Sequence, residues 1–306
     1  MFAAPPDRLA SVFATVPDEL AGNPAKSDWL SVQHPGKPIK AFLEGPSFDR
    51  EGRLYCVDIA YGRILRFDTD GDVSIVADYD GEPNGLKIHR DGRIFIADHA
   101  HGILVMDPVN GKVEPLLTRP GLERFHGVND LHFASNGDLY FTDQGQSGLH
   151  APYGRLFRLQ ENGVLQCLID NLASPNGLVF NENESQLYLA VTRSNSVWRI
   201  RFLPDGRTVA KSGTFIQLSG GLAGPDGLAL ASDGSLLIGH MGMGTVWHMS
   251  RLGEPLLRIR SPAGLLTANC AFGGKDNRTL FITEAESSSI LQIELDVGGA
   301  PMFAHA

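Results

Sequence analysis

The side chains best suited to chemistry recur at the start of six similar segments of the chain. Each of these positions carries a carboxylate or a carboxamide oxygen. They are Glu44, Asn84, Asn129, Asn176, Asp226 and Asn269. Oxygen donors of this kind, with room for water, are what a hard divalent cation prefers. The set therefore predicts a metal site if the fold brings the six positions together, with Ca²⁺ as the first choice and Zn²⁺, Mn²⁺ or Mg²⁺ as alternatives.

Several of these residues precede glycine, and Asn-Gly or Asp-Gly can be an ordinary turn with no further role. The segments, however, already contain a separate hairpin turn, as at Asp91-Gly92, Asn136-Gly137 and Asp233-Gly234. The polar residue at the start of each segment is therefore not needed to form the hairpin turn. This favours a functional role for the six residues.

The segments themselves are an internal repeat, which decides the fold class. PNGLKIHRDGRIFIAD from Pro83, VNDLHFASNGDLYFTD from Val128 and PDGLALASDGSLLIGH from Pro225 are three of six copies, and the copies begin 39 to 50 residues apart. Each copy reads as a hairpin and is followed by a second hairpin. Four strands per unit and six units predict an all-β, six-bladed β-propeller, formed as a single domain over residues 1–306.

The ends of the sequence predict how the ring closes. The sixth unit ends near Leu295 without a fourth strand, whereas residues 11–16, SVFATV, resemble the outer strands of other units. We therefore expect the N-terminal strand to complete the last blade. Residues 17–40 intervene before the first inner strand and are predicted to be a lid or insertion over one face.

Charge and composition limit the kinds of molecule that the protein is expected to bind. The formal net charge is -9 and no basic run occurs, which argues against nucleic acid or an anionic membrane and favours a small-molecule substrate. No leader pattern or long apolar stretch is visible, so a cytoplasmic location is expected. Cys56, Cys167 and Cys270 are too few and too widely spaced for a disulfide framework and are predicted to be buried thiols. No feature of the sequence indicates an oligomeric state.

The motifs resemble the gluconolactonase, or senescence marker protein and regucalcin-like, family of calcium-dependent propeller lactonases. The resemblance spans nearly the whole chain and rests on Glu44-Gly-Pro with Val57-Asp58, on RFHGVNDL at 124–131 with FTD at 141–143, and on Pro-Asn-Gly at 175–177 with Pro-Asp-Gly at 225–227. It implies that Glu44, Asn176 and Asp226 bind the metal, with Asn129 as a further ligand or a contact to bound substrate.

The chain departs from the family pattern on one loop, where His126 and Val128 replace Asn and Pro and Gln144-Gly-Gln replaces Pro-Pro-Tyr. The substrate is thus expected to be a small lactone, either of a sugar acid or of another kind. In lactone hydrolysis the metal would act as a Lewis acid on the ring carbonyl while a carboxylate takes a proton from water. Asp226 is the first candidate for this base, and Asp130 is either a second candidate or a residue that orients the ligands.

Other polar residues near the expected pocket are candidates for substrate binding. They are Asn84, His99, Arg124, His126, His240 and Asn269. Each has a structural alternative, because histidines at strand ends often satisfy backbone groups and surface arginines commonly form ion pairs.

Two other functions fit the same pattern. One is a phosphotriesterase resembling diisopropylfluorophosphatase or paraoxonase, which would use the same oxygen-ligated cation on a P=O bond. The other is a propeller that binds a ligand or partner without catalysis and keeps its metal for structure alone.

Overall fold

The regular structure is almost entirely β-strand in the computed structural model, which describes residues 4–206 and 208–305. The N-terminal part contains two short strands, two 3-10 helices and one short α-helix. These are β1 (Asp7–Leu9), β2 (Ser11–Thr15), the 3-10 helices Asp18–Leu20 and Pro24–Lys26, and α1 (Asp28–Gln33).

The repeat units follow as consecutive antiparallel sheets. Blade 1 consists of β3 (Leu43–Phe48), β4 (Leu54–Asp58), β5 (Arg63–Phe67) and β6 (Val73–Asp78), and blade 2 of β7 (Pro83–Ile88), β8 (Ile94–Asp98), β9 (Gly102–Met106) and β10 (Val113–Leu117). Blade 3 consists of β11 (Val128–Phe133), β12 (Leu139–Asp143), β13 (Gly154–Leu159) and β14 (Leu165–Leu172). Blade 4 consists of β15 (Pro175–Phe180), β16 (Gln186–Val191), β17 (Ser196–Phe202) and β18 (Val209–Gln217).

Blade 5 contains β19 (Gly224–Leu230), β20 (Leu236–Met241), β21 (Thr245–Met249) and β22 (Pro255–Arg260). Blade 6 contains β23 (Thr267–Gly273), β24 (Thr279–Glu284) and β25 (Ser289–Glu294). Further 3-10 helices are Ile59–Tyr61, Thr192–Ser194 and Phe303–His305.

The first strand of each blade is the inner one. Each inner strand packs against the inner strands of the two neighbouring blades, and the series closes between β23 and β3. The predicted six-bladed β-propeller is confirmed. We call the face on which the inner strands begin the upper face and the opposite one the lower face.

The N-terminus closes the ring. β2 pairs antiparallel with β25 as the fourth strand of blade 6, Val16 is fully buried, and the rings of Phe13 and Phe281 meet edge to face at 5.2 Å. The closure predicted for residues 11–16 is confirmed. No sequence pattern predicted β1, which pairs parallel with β22 and adds a fifth strand to blade 5.

Residues 17–40 pack on the upper face of blade 1. Ser27 Oγ donates to the Ala60 carbonyl at 2.7 Å, and Tyr61 Oη donates to the Ile39 carbonyl at 2.8 Å. The rings of Trp29, His34 and Phe42 form a cluster in which each contacts the other two, with His34 at centroid distances of 5.6 Å from Trp29 and 4.9 Å from Phe42. Burial, with a smaller effect of the nearby Lys37 charge, lowers the pKa of His34.

The C-terminus crosses the lower face. Ala300 N donates to the Leu230 carbonyl at 2.9 Å, and the ring of Phe303 stacks on Phe133 at 4.8 Å. This segment narrows the lower opening of the central channel.

Cys56 and Cys270 are buried, as predicted, but Cys167 is exposed. The prediction for Cys167 was wrong because β14 is an outer strand, and outer strands of a blade face solvent on part of their surface. None of the helices in residues 4–206 and 208–305 has the length and apolarity needed to cross a bilayer.

Candidate active site

An irregularity in the inner strands brings the polar residues to the axis. In all six blades the register between the inner strand and its neighbour shifts at or beside the polar residue, for example between Glu44 and Ser47 and between Pro225 and Leu228. Such β-bulges re-aim a side chain that would otherwise follow the alternation of the strand. The bulge is therefore the local reason why side chains from separate blades can converge.

Glycine follows several of these residues for a separate, steric reason. A Cβ added to Gly45 would lie 2.6 Å from the Leu86 nitrogen, and one added to Gly227 would overlap the Asn269 side chain. Adjacent inner strands thus approach too closely at the axis for any larger residue. The glycine of each Asn-Gly or Asp-Gly pair serves packing, which leaves the polar residue before it free for another role.

Six polar side chains are buried together at the upper end of the channel, each at most 8% exposed. They are Glu44, Asn129, Asp130, Asn176, Asp226 and Asn269. Asn269 Nδ2 donates to Asp130 Oδ2 at 3.3 Å, and because blades 3 and 6 face each other this bond spans the channel. The amides of Asn176 and Asn269 also lie near the carboxylates of Asp226 and Glu44 and favour their charged forms.

The electrostatics of this cluster are those of crowded, buried acids. Burial raises the pKa of Glu44 well above its ordinary value, and the charges of Asp226 and Asp130 raise it further. Burial and the Asp130 charge likewise raise the pKa of Asp226, and burial raises that of Asp130. Carboxylates held this closely either keep protons or require a positive charge among them.

The donor set fits a hard cation. Asn129 Oδ1 is buried and accepts no hydrogen bond from the described residues, which is costly for an amide oxygen unless something else binds it. Together with the Glu44 and Asp226 carboxylates it offers oxygen donors of the kind that Ca²⁺ accepts. Across residues 4–206 and 208–305, no three His, Cys, Asp or Glu side chains are arranged to hold a metal, so a site here depends on amide oxygens as well as carboxylates.

A second group of buried carboxylates, at the ends of the second strands, is structural. Asp98 Oδ1 accepts from the nitrogens of Ala100 and His101 at 2.9 and 2.8 Å. Asp143 accepts from Gly127 N at 2.8 Å and from Arg155. Asp58 and Glu284 bind loop amides in the same manner. These acids fix the upper loops and are not available for catalysis.

The remaining candidates lie around the upper face at different depths. Asn84 is half-buried at the equivalent position of blade 2 and forms no hydrogen bond with the cluster among the described residues. His99 is half-buried against Gly127. Arg124 and His126 are exposed, and the His126 ring contacts Tyr153 edge to face at 5.3 Å.

His240 does not line an open pocket. It is fully buried, its Nδ1 accepts from Trp247 Nε1 at 3.1 Å, and its Nε2 lies against Gly221. Its Nε2 forms no hydrogen bond with the described residues, and the substrate contact of His240 stays a prediction. Because β20 is a second strand, packed between an inner strand and a third strand, its side chains face into the blade interfaces.

Sequence reasoning missed two basic residues near the cluster. Arg193 is exposed, and its charge lowers the pKa of Asp226; the neighbouring Thr192 Oγ1 donates to the Pro225 carbonyl at 2.8 Å. Lys87, on inner strand β7, acts on the pKa of Asp130 in the same direction. Lys87 stands at a variable position of the repeat and Arg193 lies outside the repeated segments, so only the spatial arrangement reveals them.

Comparison with known proteins identifies the family of the chain. Residues 42–286 match the SMP-30/Gluconolactonase/LRE-like region. The chain belongs to this family. It is 30% identical over 274 residues to a gluconolactonase of Zymomonas mobilis, covering 80% of this chain and 76% of that protein. It is 29% identical over 242 residues to lactonase drp35 of Staphylococcus saprophyticus, covering 76% and 73%.

A solved structure of a gluconolactonase from Xanthomonas campestris superposes with a TM-score of 0.72 at 25% sequence identity, covering 85% of this chain and 86% of that one. The resemblance inferred from the motifs is thereby confirmed.

Proposed function

We propose that this protein is a metal-dependent hydrolase that opens the ring of a small lactone at the upper end of its channel. The observation that carries the proposal is the unpartnered Asn129 Oδ1 beside the buried carboxylates of Glu44 and Asp226. We assign a divalent cation, first of all Ca²⁺, to Glu44, Asn129, Asn176 and Asp226. Family membership and relatives named gluconolactonase and lactonase support the reaction class.

A cation bound there would supply Lewis acidity toward the lactone carbonyl. The remaining work falls to the side chains of this chain. Asp226 is the first candidate for the base that accepts a proton from the attacking water, because its carboxylate is buried within the cluster and the nearby Asn176 amide favours its charged form.

Asp130 fits a positioning role better than that of base. Its Oδ1 accepts from Leu131 N at 2.8 Å and its Oδ2 from Asn269 at 3.3 Å. Both oxygens are thus engaged, and the carboxylate fixes Asn269, whose amide lies near Glu44 and favours its charged form. Such outer contacts orient metal ligands.

Substrate contacts come from the upper rim in this proposal. The exposed Arg193 can bind an anionic or polar substituent of the ring-opened product, and His99, Arg124 and His126 border the same face. Residues 17–40 pack beside this rim on blade 1, and in this proposal they cover part of the opening of the active site. The lactone can be derived from a sugar acid or from another small hydroxy acid.

The test is hydrolysis of a panel of sugar and aliphatic lactones and one phosphotriester, with and without a chelator. We expect chelator-sensitive turnover of at least one lactone. The Asp226→Asn variant should lose both most of the calcium affinity and most of the activity, whereas Asp70→Asn, on a lower-face hairpin, should retain both. Turnover of the phosphotriester alone, or of nothing in the panel, would refute lactone hydrolysis; full calcium affinity and activity in Asp226→Asn would refute the assigned site.

A further inference from the structure

A second cavity, of about 480 Å³, occupies the lower part of the channel. This volume is within the range of small-molecule sites. It is separate from the candidate active site, because the hydrogen bond between Asp130 and Asn269 spans the channel above it. Its lining residues on β11 are His132 and Phe133, three or more positions beyond Asn129, which is roughly 10 Å along a strand.

The walls of this cavity are mainly apolar. Phe133, Phe180 and Phe272 line it from three different blades, and Phe303 of the C-terminal segment lines it from below. The first three are buried in the protein. Such walls favour the hydrocarbon part of a ligand.

One cation faces this apolar space. Lys87 lines the cavity, is half-buried, and forms no hydrogen bond or ion pair within the part of the chain that the structure describes. Its charge partly offsets the burial that raises the pKa of Asp130 in the cluster above, but no direct contact joins the two side chains. Burial and the Lys87 charge lower the pKa of the neighbouring His132 to about 3, so the histidine is neutral and Lys87 supplies the positive charge. An ammonium group in apolar surroundings is stabilised by an anion.

The mouth carries the opposite charge. Glu182 and Glu184 line the cavity at the lower surface, and Glu184 is partly compensated by hydrogen bonds from Ser135 N and Oγ. A negative charge left at the mouth is therefore disfavoured, whereas one placed deep beside Lys87 is favoured. This pattern selects a ligand with one charged end and one apolar end.

We propose that the lower cavity is a second ligand site, which binds a small amphipathic monoanion such as a medium-chain carboxylate. The carboxylate pairs with the Lys87 ammonium, and the hydrocarbon tail packs among Phe133, Phe180 and Phe272.

The experiment is calorimetric titration of the full chain with octanoate, octan-1-ol and octanedioate. Octanoate should bind more tightly than either of the others, because octan-1-ol lacks the charge and octanedioate places a second charge near the mouth. Lys87→Met keeps most of the aliphatic stem and should weaken octanoate binding by about tenfold or more, as expected for the loss of a charge-assisted hydrogen bond. Lys87→Arg should restore the preference for octanoate over octan-1-ol.

A second variant tests the cavity independently of charge. Ala229 lines it from blade 5, and Ala229→Phe should fill the space and weaken both octanoate and octan-1-ol. The proposal is overturned if the wild-type protein binds no octanoate, if Lys87→Met leaves the preference for octanoate unchanged, or if Ala229→Phe leaves both affinities unchanged. None of these results depends on whether the upper site hydrolyses a lactone.

Discussion

Replacing Asn129 by leucine should have opposite effects on the protein with and without calcium. Leucine has nearly the shape of asparagine but removes Oδ1, the buried oxygen that accepts no hydrogen bond from the described residues. A buried polar group without a partner costs about 1–3 kcal/mol. In the absence of metal, Asn129→Leu should therefore be as stable as the wild-type protein or more stable, although most substitutions of buried residues destabilise.

The size of the effect follows from the length of the chain. With an unfolding entropy of about 2.1 cal/mol/K per residue, a chain of 306 residues has an entropy of unfolding near 0.6 kcal/mol/K. A gain of 1–3 kcal/mol thus raises the Tm by about 2–5 °C. If Asn129 is a ligand, its loss should weaken calcium binding by about tenfold or more, and each factor of ten removes about 1.4 kcal/mol from the stabilisation by calcium.

The assay is thermal unfolding followed by circular dichroism, in chelator and at several calcium concentrations. Asn84→Leu is the matched control, because Asn84 occupies the equivalent position of blade 2 without a hydrogen bond to the cluster among the described residues; its calcium increment should equal that of the wild type. If Asn129→Leu has a lower Tm than the wild type in chelator, and calcium raises its Tm as much as that of the wild type, then Oδ1 is neither unpaired nor a metal ligand.

Three further predictions concern the scaffold. Gly227→Ala should destabilise the protein and reduce activity, because the added Cβ would overlap the Asn269 side chain. Gly213→Ala is the control and should change neither property, because a Cβ there would meet open space. Equal urea midpoints of the two variants would contradict this prediction. Val16→Ala should cost about 2 kcal/mol of unfolding free energy in urea, since Val16 is fully buried at the closure, and an unchanged midpoint would argue against the closure. The lowered pKa of His34 means that the unfolded chain binds a proton at this residue more tightly than the folded one, so stability is lost as pH falls below about 6.5. Hydrogen exchange of residues 27–40 should accelerate below that pH, and much less so in His34→Phe. Equal pH dependence of exchange in the two proteins would contradict this role of His34.

The number of blades and the position of the oxygen donors within each blade could be predicted from the amino-acid sequence. Both are local properties, because a hairpin is encoded by the alternation of apolar residues and by its turn residues. The strand that closes the ring, residues 11–16, was also readable, since the sixth unit lacked one strand. Family motifs added Glu44, Asn176 and Asp226 as a group.

The spatial relation of these donors to one another depends on the folded chain as a whole. Asp130 and Asn269 meet across the channel only because six blades close into a ring, and no local pattern encodes which blades are opposite. Burial of His240 depends on packing between strands of neighbouring blades. Lys87 stands at a variable position of the repeat and Arg193 stands outside it, and both gain a role only from the carboxylates near them. The composition of the site is thus local information, whereas its geometry depends on closure of the ring.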